Sequence, residues 1–406
     1  MKPILVRTTT AVCAAALMAI LAGCAPAEVV PEQPVRGPLD LTIGALVPDT
    51  GTIDWAGPTS RAAVQLALDD INDAGFPITV AAEFRDSGDS ASEVGLASTT
   101  ELLGVGVDAI VGPISNGVSR TILEDVIEAG IPLVSPGNDA TDFTAFDDEG
   151  FYFRTSASCT LQGETLAQEI ADSGATTAAI VATSDTCAEP LVSTITTALE
   201  RLNIDITSST LLDEGVAIDP ASLGLSPAET DAVAVVSRAL PEAVTALEGA
   251  GFASDDLYFA LPSPRDYSGD LPEGALFGAT VTRAGVDPTT IPGFADRLAA
   301  LDERATSLTY AAETYDAIVL VALASFEANS TDGAAIAGAL QGVSGGVDGA
   351  IPCTTFAACA ASIAETGRAD YDGLSGPISF DDNGDATGAV VGVYTGTRAT
   401  AFDRAE

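Results

Sequence analysis

A chain of 406 residues exceeds what one hydrophobic core ordinarily covers, so two domains are the default, and 47% hydrophobic residues suffice to fill both. With 58 acidic against 16 basic residues, formally −42, the surface repels nucleic acid and anionic lipid head groups, which excludes both as partners. Histidine is absent and Lys2 is the sole lysine, so Ser-His-Asp triads, Ser-Lys dyads, Schiff bases and Walker-type phosphate loops are excluded for the body of the chain.

Lys2 and Arg7 precede an unbroken apolar run, Ala11 to Ala22, too short to span a bilayer comfortably but suited to an export signal. It ends in Leu21-Ala22-Gly23-Cys24, which resembles the lipobox of bacterial lipoproteins. That resemblance implies removal of residues 1–23 and a lipid on Cys24; the alternative is a plain secretory signal with an incidental cysteine. Residues 24–38 are rich in Pro, Ala, Glu and Val without any period, and read as a flexible tether.

From Leu41 the pattern alternates strand and helix. Strand 41–47 is followed by a Gly- and Asp-containing loop and by a helix over 61–72, which Thr59 or Ser60 can cap. Strand 78–84, helix 91–103, strand 107–111, helix 119–129 and strand 131–135 complete a first series. A second series starts near Leu161 with a helix, then strand 177–182, helix 190–202, strand 232–236, helix 241–250 and strands 257–261 and 275–281. Helices 294–304 and 310–327 come next. Strands 376–380 and 389–394 flank the turn Asp381-Asp-Asn-Gly-Asp385, a hairpin signal whose spacing does not match a calcium-binding loop. Short apolar strands separated by helices imply parallel sheets covered on both faces: an α/β fold of two Rossmann-like lobes.

Several stretches resemble the type I periplasmic binding proteins of ABC importers, in particular the leucine/isoleucine/valine-binding group. They are Ile43 to Pro48 with Thr50-Gly51 and Gly57, Ala67 to Asn72, Asp108 to Pro113, Gly130 to Pro136, Phe153-Arg154-Thr155, Tyr315-Asp316-Ala317 and Gly376 to Gly384. The resemblance implies two lobes joined by three crossovers with a ligand cleft between them. Lobe I would be 39–156 plus 283–372, and lobe II 157–282 plus 374–406. Cys159, Cys187, Cys353 and Cys359 allow three connectivities; Cys159–Cys187 and Cys353–Cys359 are favoured because each pair lies within one lobe. A metal site is disfavoured by the cysteine spacing, and no cofactor is expected.

Loops at the carboxyl ends of parallel strands converge on such a crevice, where helix N-termini offer free N–H groups. The ligand-binding candidates are therefore Trp55 as an aromatic wall, Ser115 and Asn116 before the third helix, Gly137-Asn138-Asp139, and Asp185, Arg238 and Ser263 in the second lobe. Where amino-acid binders place an aromatic over the ligand and an acid for its ammonium, this chain has Cys187 and Ser263; Asp139 or Asp266 is the substitute acid considered. The expected function is a monomeric, lipid-anchored extracytoplasmic protein, not an enzyme. It captures a small polar solute, an amino acid or related compound, and delivers it to the permease subunits of an ABC importer. The alternatives are a ligand-sensing receptor of the same fold, or a hydrolase using an acid pair such as Asp147 and Asp148.

Overall fold

The computed structural model describes residues 36–185, 187–261, 267–345 and 349–404. The lipidation candidate Cys24, Ser263 and Asp266 lie outside the described residues.

The first sheet contains β1 (Leu39–Val47), β2 (Ile78–Asp86), β3 (Ala109–Val111), β4 (Leu133–Ser135) and β5 (Tyr152–Arg154). They run parallel in the order β2-β1-β3-β4-β5. Helices α1 (Gly57–Asp73), α2 (Val94–Val105) and α3 (Asn116–Glu128) connect them. The chain then passes through α4 (Leu161–Asp172), β6 (Thr177–Thr183), α5 (Ala188–Arg201), β7 (Asp205–Leu212), β8 (Ala232–Val236), α6 (Leu240–Gly249), β9 (Leu257–Ala260) and β10 (Thr280–Ala284). It returns to the first lobe with α7 (Phe294–Leu301), α8 (Ala311–Ala328), α9 (Gly333–Val343), β11 (Pro352–Cys353), α10 (Phe356–Thr366), β12 (Asp370–Gly373) and β13 (Gly376–Pro377). Finally β14 (Val391–Gly396) and β15 (Phe402–Arg404) join the second sheet, ordered β15-β14-β10-β9-β8-β6-β7.

Position in the sheet explains the composition. β8 reads Ala-Val-Ala-Val-Val and is wholly buried between β6 and β9, as a central parallel strand must be. β7 lies at the edge and alternates exposed with half-buried residues, so its Thr/Ser-rich sequence gives no continuous apolar run. In α8 every residue from Ala311 to Phe326 is buried, which suits a helix apolar on nearly all sides. Glu313 and Asp316 are its buried charged residues, and Asp316 is the one with a full set of donors. It accepts bonds from the Tyr371 hydroxyl (2.7 Å), the Leu374 amide (2.9 Å) and the Ser375 amide and hydroxyl (2.7 and 2.6 Å). Burial pushes its pKa up, and four donors make its presence tolerable by pinning the β12–β13 turn to the helix.

Two lobe boundaries differ from those expected. Arg283 and Ala284 still belong to β10, pairing with Gly392 and Val391, so the crossover back to the first lobe follows Ala284. Residues 376–386, expected in lobe II, pack on the first core instead. Ile378, Phe380 and Ala386 join that core, and the Phe380 ring lies 5.2 Å from that of Phe153. The fully buried Arg154 guanidinium also needs Asp385, whose carboxylate it meets at 2.6 Å. The expected turn exists but with short arms: Thr387 and Gly388 donate to the Ser379 and Ile378 carbonyls, after which the chain leaves for the second sheet. The strand expected over 275–281 begins only at Thr280.

Both favoured disulfides are formed, with Cα separations of 6.1 Å for Cys159–Cys187 and 5.4 Å for Cys353–Cys359. The first ties the approach to α4 to the loop after β6. Among the described residues, no helix is long and apolar enough to cross a membrane.

Candidate functional site

The carboxyl ends of the strands in both sheets face a cleft of about 1550 Å³. Trp55, on a single 3-10 turn before α1, lines it with 42% of its surface exposed. β3 is followed by Gly112, whose φ of 97° brings its peptide so close to the Leu46 carbonyl that a Cβ has no room. That close approach delivers Ser115, Asn116 and Gly117 to the cleft at the N-terminus of α3, where Ser115 caps the Val118 amide weakly at 3.4 Å.

Asn116 is more committed than expected of a ligand contact. Its Nδ2 donates to Asp139 (2.7 Å), and its Oδ1 accepts from the Asp139 amide (3.1 Å) and the Asn138 side chain (3.2 Å). It therefore braces the 137–140 loop, while Ser115, Asn116 and Gly117 at the start of α3 line the cleft. Gly137 and Asp139 line the cavity. Asn138 does not: it is fully buried, its Oδ1 accepts from Ser119 (2.8 Å), and its carbonyl accepts from Ser156 (2.7 Å). The amide is consumed inside the wall, which corrects the expectation that it meets the ligand.

The opposite wall carries Asp185 and Arg238. Arg238 donates through Nη2 to Asp139 at 3.2 Å and through Nε to Asp185 at 3.1 Å, linking both lobes. Burial pulls its pKa down, but Asp139 and Asp185 outweigh that and raise it, so it is a fixed cation. Asp185 also accepts the Cys187 amide at 2.8 Å, while Cys187 itself is buried in its disulfide behind the loop. Glu214, Glu242 and Asp270 add further carboxylates to the lining, so the cleft as a whole is acidic. Asp147 and Asp148, the acid pair weighed for hydrolysis, lie outside it; Asp148 accepts the Gly150 amide at 2.8 Å in a turn.

The hinge side contains residues that sequence reasoning missed. Ser307, Thr309, Tyr310 and Tyr267 line the cleft. Tyr310 was expected as the first helical residue; it is instead the left-handed residue before α8, with φ 64°. The Arg283 guanidinium lies 5.6 Å from its ring, and burial pushes its phenol pKa up, with Asp139 adding to that. A second chamber of about 50 Å³ opens beneath, lined by Glu313, Arg283 and Gln162 and sharing Asp139, Arg238 and Tyr310 with the main cleft. For Tyr310 and Glu313 the sequence signal was only proximity to the start of α8, which many helix starts share.

The geometry agrees with what the chain is similar to. The model of the periplasmic binding protein family matches residues 40–391. Leu/Ile/Val-binding protein BraC3 of Rhizobium johnstonii is 30% identical over 107 residues, 26% of this chain and 29% of that protein. The chemotactic signal transduction substrate-binding protein BasB of Halobacterium salinarum is 28% identical over 288 residues, 67% of this chain and 66% of that one. The matches thus span only 29% and 36% of the length of BraC3 and of a Brucella melitensis homologue. Among solved structures, the Streptococcus pneumoniae substrate-binding protein LivJ in complex with isoleucine superposes with a TM-score of 0.65 at 18% identity, over 90% of this chain and 100% of that one. A solute-binding protein of an ABC transporter from R. palustris, in complex with 4-hydroxybenzoate, gives 0.67 at 15%, over 90% and 96%. These relatives are binding proteins and not enzymes, and the chain belongs to the periplasmic binding protein family.

Proposed function

We propose that the chain is an exported solute-binding protein, lipid-anchored at Cys24 after removal of residues 1–23 and held off the membrane by the 24–38 tether. It closes its lobes on a small polar solute, an amino acid or close relative, and presents the closed form to the permease of an ABC importer. The observation that carries this reading is the cleft: about 1550 Å³, walled by both sheets and bridged by Arg238 between Asp139 and Asp185. Donor N–H groups at the start of α3 suit a carboxylate, and Trp55 with Tyr310 offers apolar surface for a side chain. Sensing is the second reading, favoured by the likeness to the chemotactic protein BasB over 67% of this chain.

Thermal-shift measurements on residues 36–406 against amino acids, amides and nucleobases test the reading. A ligand at a hundred times its dissociation constant adds about 2.7 kcal/mol of stability. Absence of a shift with every compound counts against solute binding, and conversion of a bound compound counts against a pure binder.

A further inference from the structure

We propose that Asp86 is a positioning residue for ligand capture: from outside the cleft, its carboxylate holds the β1–α1 loop so that Ile53 and Trp55 stand in the cleft wall. The proposal rests on the solute-binding reading and adds to it a residue that touches no ligand.

The loop has little apolar burial to fix it. Between Pro48 and Ala56, both buried, residues 49–52, Asp54 and Trp55 are exposed and Ile53 is half-buried. Its order comes instead from polar contacts with the β2–α2 loop. Asp86 Oδ1 accepts the amides of Asp49 (3.0 Å), Thr50 (3.1 Å) and Gly88 (2.8 Å), and Oδ2 accepts the Thr50 hydroxyl (2.6 Å). Asp89 adds the Thr52 amide at 3.1 Å. Asp49 itself is engaged by Arg61, whose Nε donates at 2.8 Å. Bonds to a carboxylate are stronger than bonds between neutral groups. Burial pushes the Asp86 pKa up, but the Thr50 hydroxyl and the three amides outweigh it and hold the group below the ordinary aspartate value, so the charge persists.

No residue from Asp86 to Ser92 lines the cleft; this loop stands behind two of its walls. On one side it holds the turn that leads to Ile53 and Trp55. On the other, Ser90 lies so close to Gly117 at the start of α3 that a Cβ there has no room. One support therefore backs both Trp55 and the Ser115–Gly117 wall. Asp86 is only half-buried and the loop it holds is exposed, so water can take over the four donors when the carboxylate is removed. The position of the loop is then lost, not the fold.

Trp55 is the only tryptophan of the chain, so its emission reports on this loop with or without ligand. The test compares wild type with Asp86→Ala, with Thr50→Val, which removes the hydroxyl bond alone, and with Asp231→Ala. Asp231 is the control: it braces the Thr176 amide and hydroxyl (both 2.9 Å) and the Thr177 amide (3.0 Å) at the amino end of β6, away from the cleft. Asp86→Ala is expected to add a nanosecond component to the anisotropy decay of Trp55. It is also expected to weaken roughly tenfold, by calorimetry, whichever of the twenty standard L-amino acids wild type binds. Thr50→Val should shift both readouts the same way by less, and Asp231→Ala should shift neither. Identical Trp55 decays in wild type and Asp86→Ala, unchanged affinity in Asp86→Ala, or an equal effect of Asp231→Ala overturns the positioning role and leaves solute binding standing. If wild type binds no amino acid, the amino-acid reading fails, and the Trp55 decay alone decides the role of Asp86.

Discussion

Arg238 of the second lobe donates to Asp139 of the first at 3.2 Å, so one guanidinium ties the two cleft walls together. Its side chain is 50% exposed, which limits the pair to roughly 1 kcal/mol or less. Its importance is geometric: it biases how far apart the lobes stand without ligand. Arg238→Gln is expected to lower the unfolding free energy by under about 1 kcal/mol yet increase the radius of gyration of the ligand-free protein. High salt should produce the same expansion in wild type. An unchanged scattering profile in both cases would show that the pair does not set the lobe separation.

Glu313 gives a pH signature independent of any ligand. Burial raises its pKa, so the folded chain holds this proton more tightly than the unfolded chain does. The stability it contributes is therefore present below the ordinary glutamate value and is lost as pH rises through the folded one. Glu313→Gln should match wild type near pH 4 and become the more stable protein toward pH 7, by about 1–3 kcal/mol. Denaturant curves across that range check it, and a difference that stays constant with pH contradicts a buried carboxylate whose desolvation outweighs the nearby Arg283 charge.

The disulfides should contribute unequally. Cys159–Cys187 spans 28 residues and Cys353–Cys359 only 6. Loop-closure entropy assigns roughly 3.5 and roughly 2.3 kcal/mol to them. Replacing the first pair with alanine should also weaken ligand binding, because it frees the loop that presents Asp185; replacing the second should not. Calorimetric unfolding and titration of both double mutants distinguish the outcomes.

Arg154 and Asp385 hold residues 376–386 on the first lobe from inside it. Arg154 is fully buried, meets Asp385 at 2.6 Å, and donates to the Thr144 hydroxyl at 2.9 Å and the Ala140 carbonyl at 2.7 Å. Removing one partner strands a buried charge, so Asp385→Asn should cost about 3–5 kcal/mol. A loss under about 1 kcal/mol would mean that the ion pair is not what retains this segment.

The alternating α/β pattern was legible because central strands such as β8 are continuous apolar runs and helices such as α1 keep their 3.6-residue period. What escaped was local and polar, or small. β7 is an edge strand of alternating exposure, and α9 and α10 are built largely of Gly, Ala and Ser without a marked apolar stripe. The third crossover was misplaced because the apolar alternation of Ile378 and Phe380 does not reveal which core receives it. In the cleft, strand-end loops pointed to Trp55, Ser115, Asp139, Asp185 and Arg238, all of which line the cavity. Asn138 shows the limit of that logic, since adjacent residues in one loop face opposite ways. Tyr310 and Glu313 escaped because they reach the floor from a helix start that only the fold brings under the cleft.

Capture by lobe closure is tested most directly by small-angle scattering of the protein without ligand and saturated with a compound that stabilises it. Ligand should reduce the radius of gyration and shorten the maximum dimension, and be recovered chemically unchanged. Identical profiles at full occupancy would contradict closure about a cleft-bound solute.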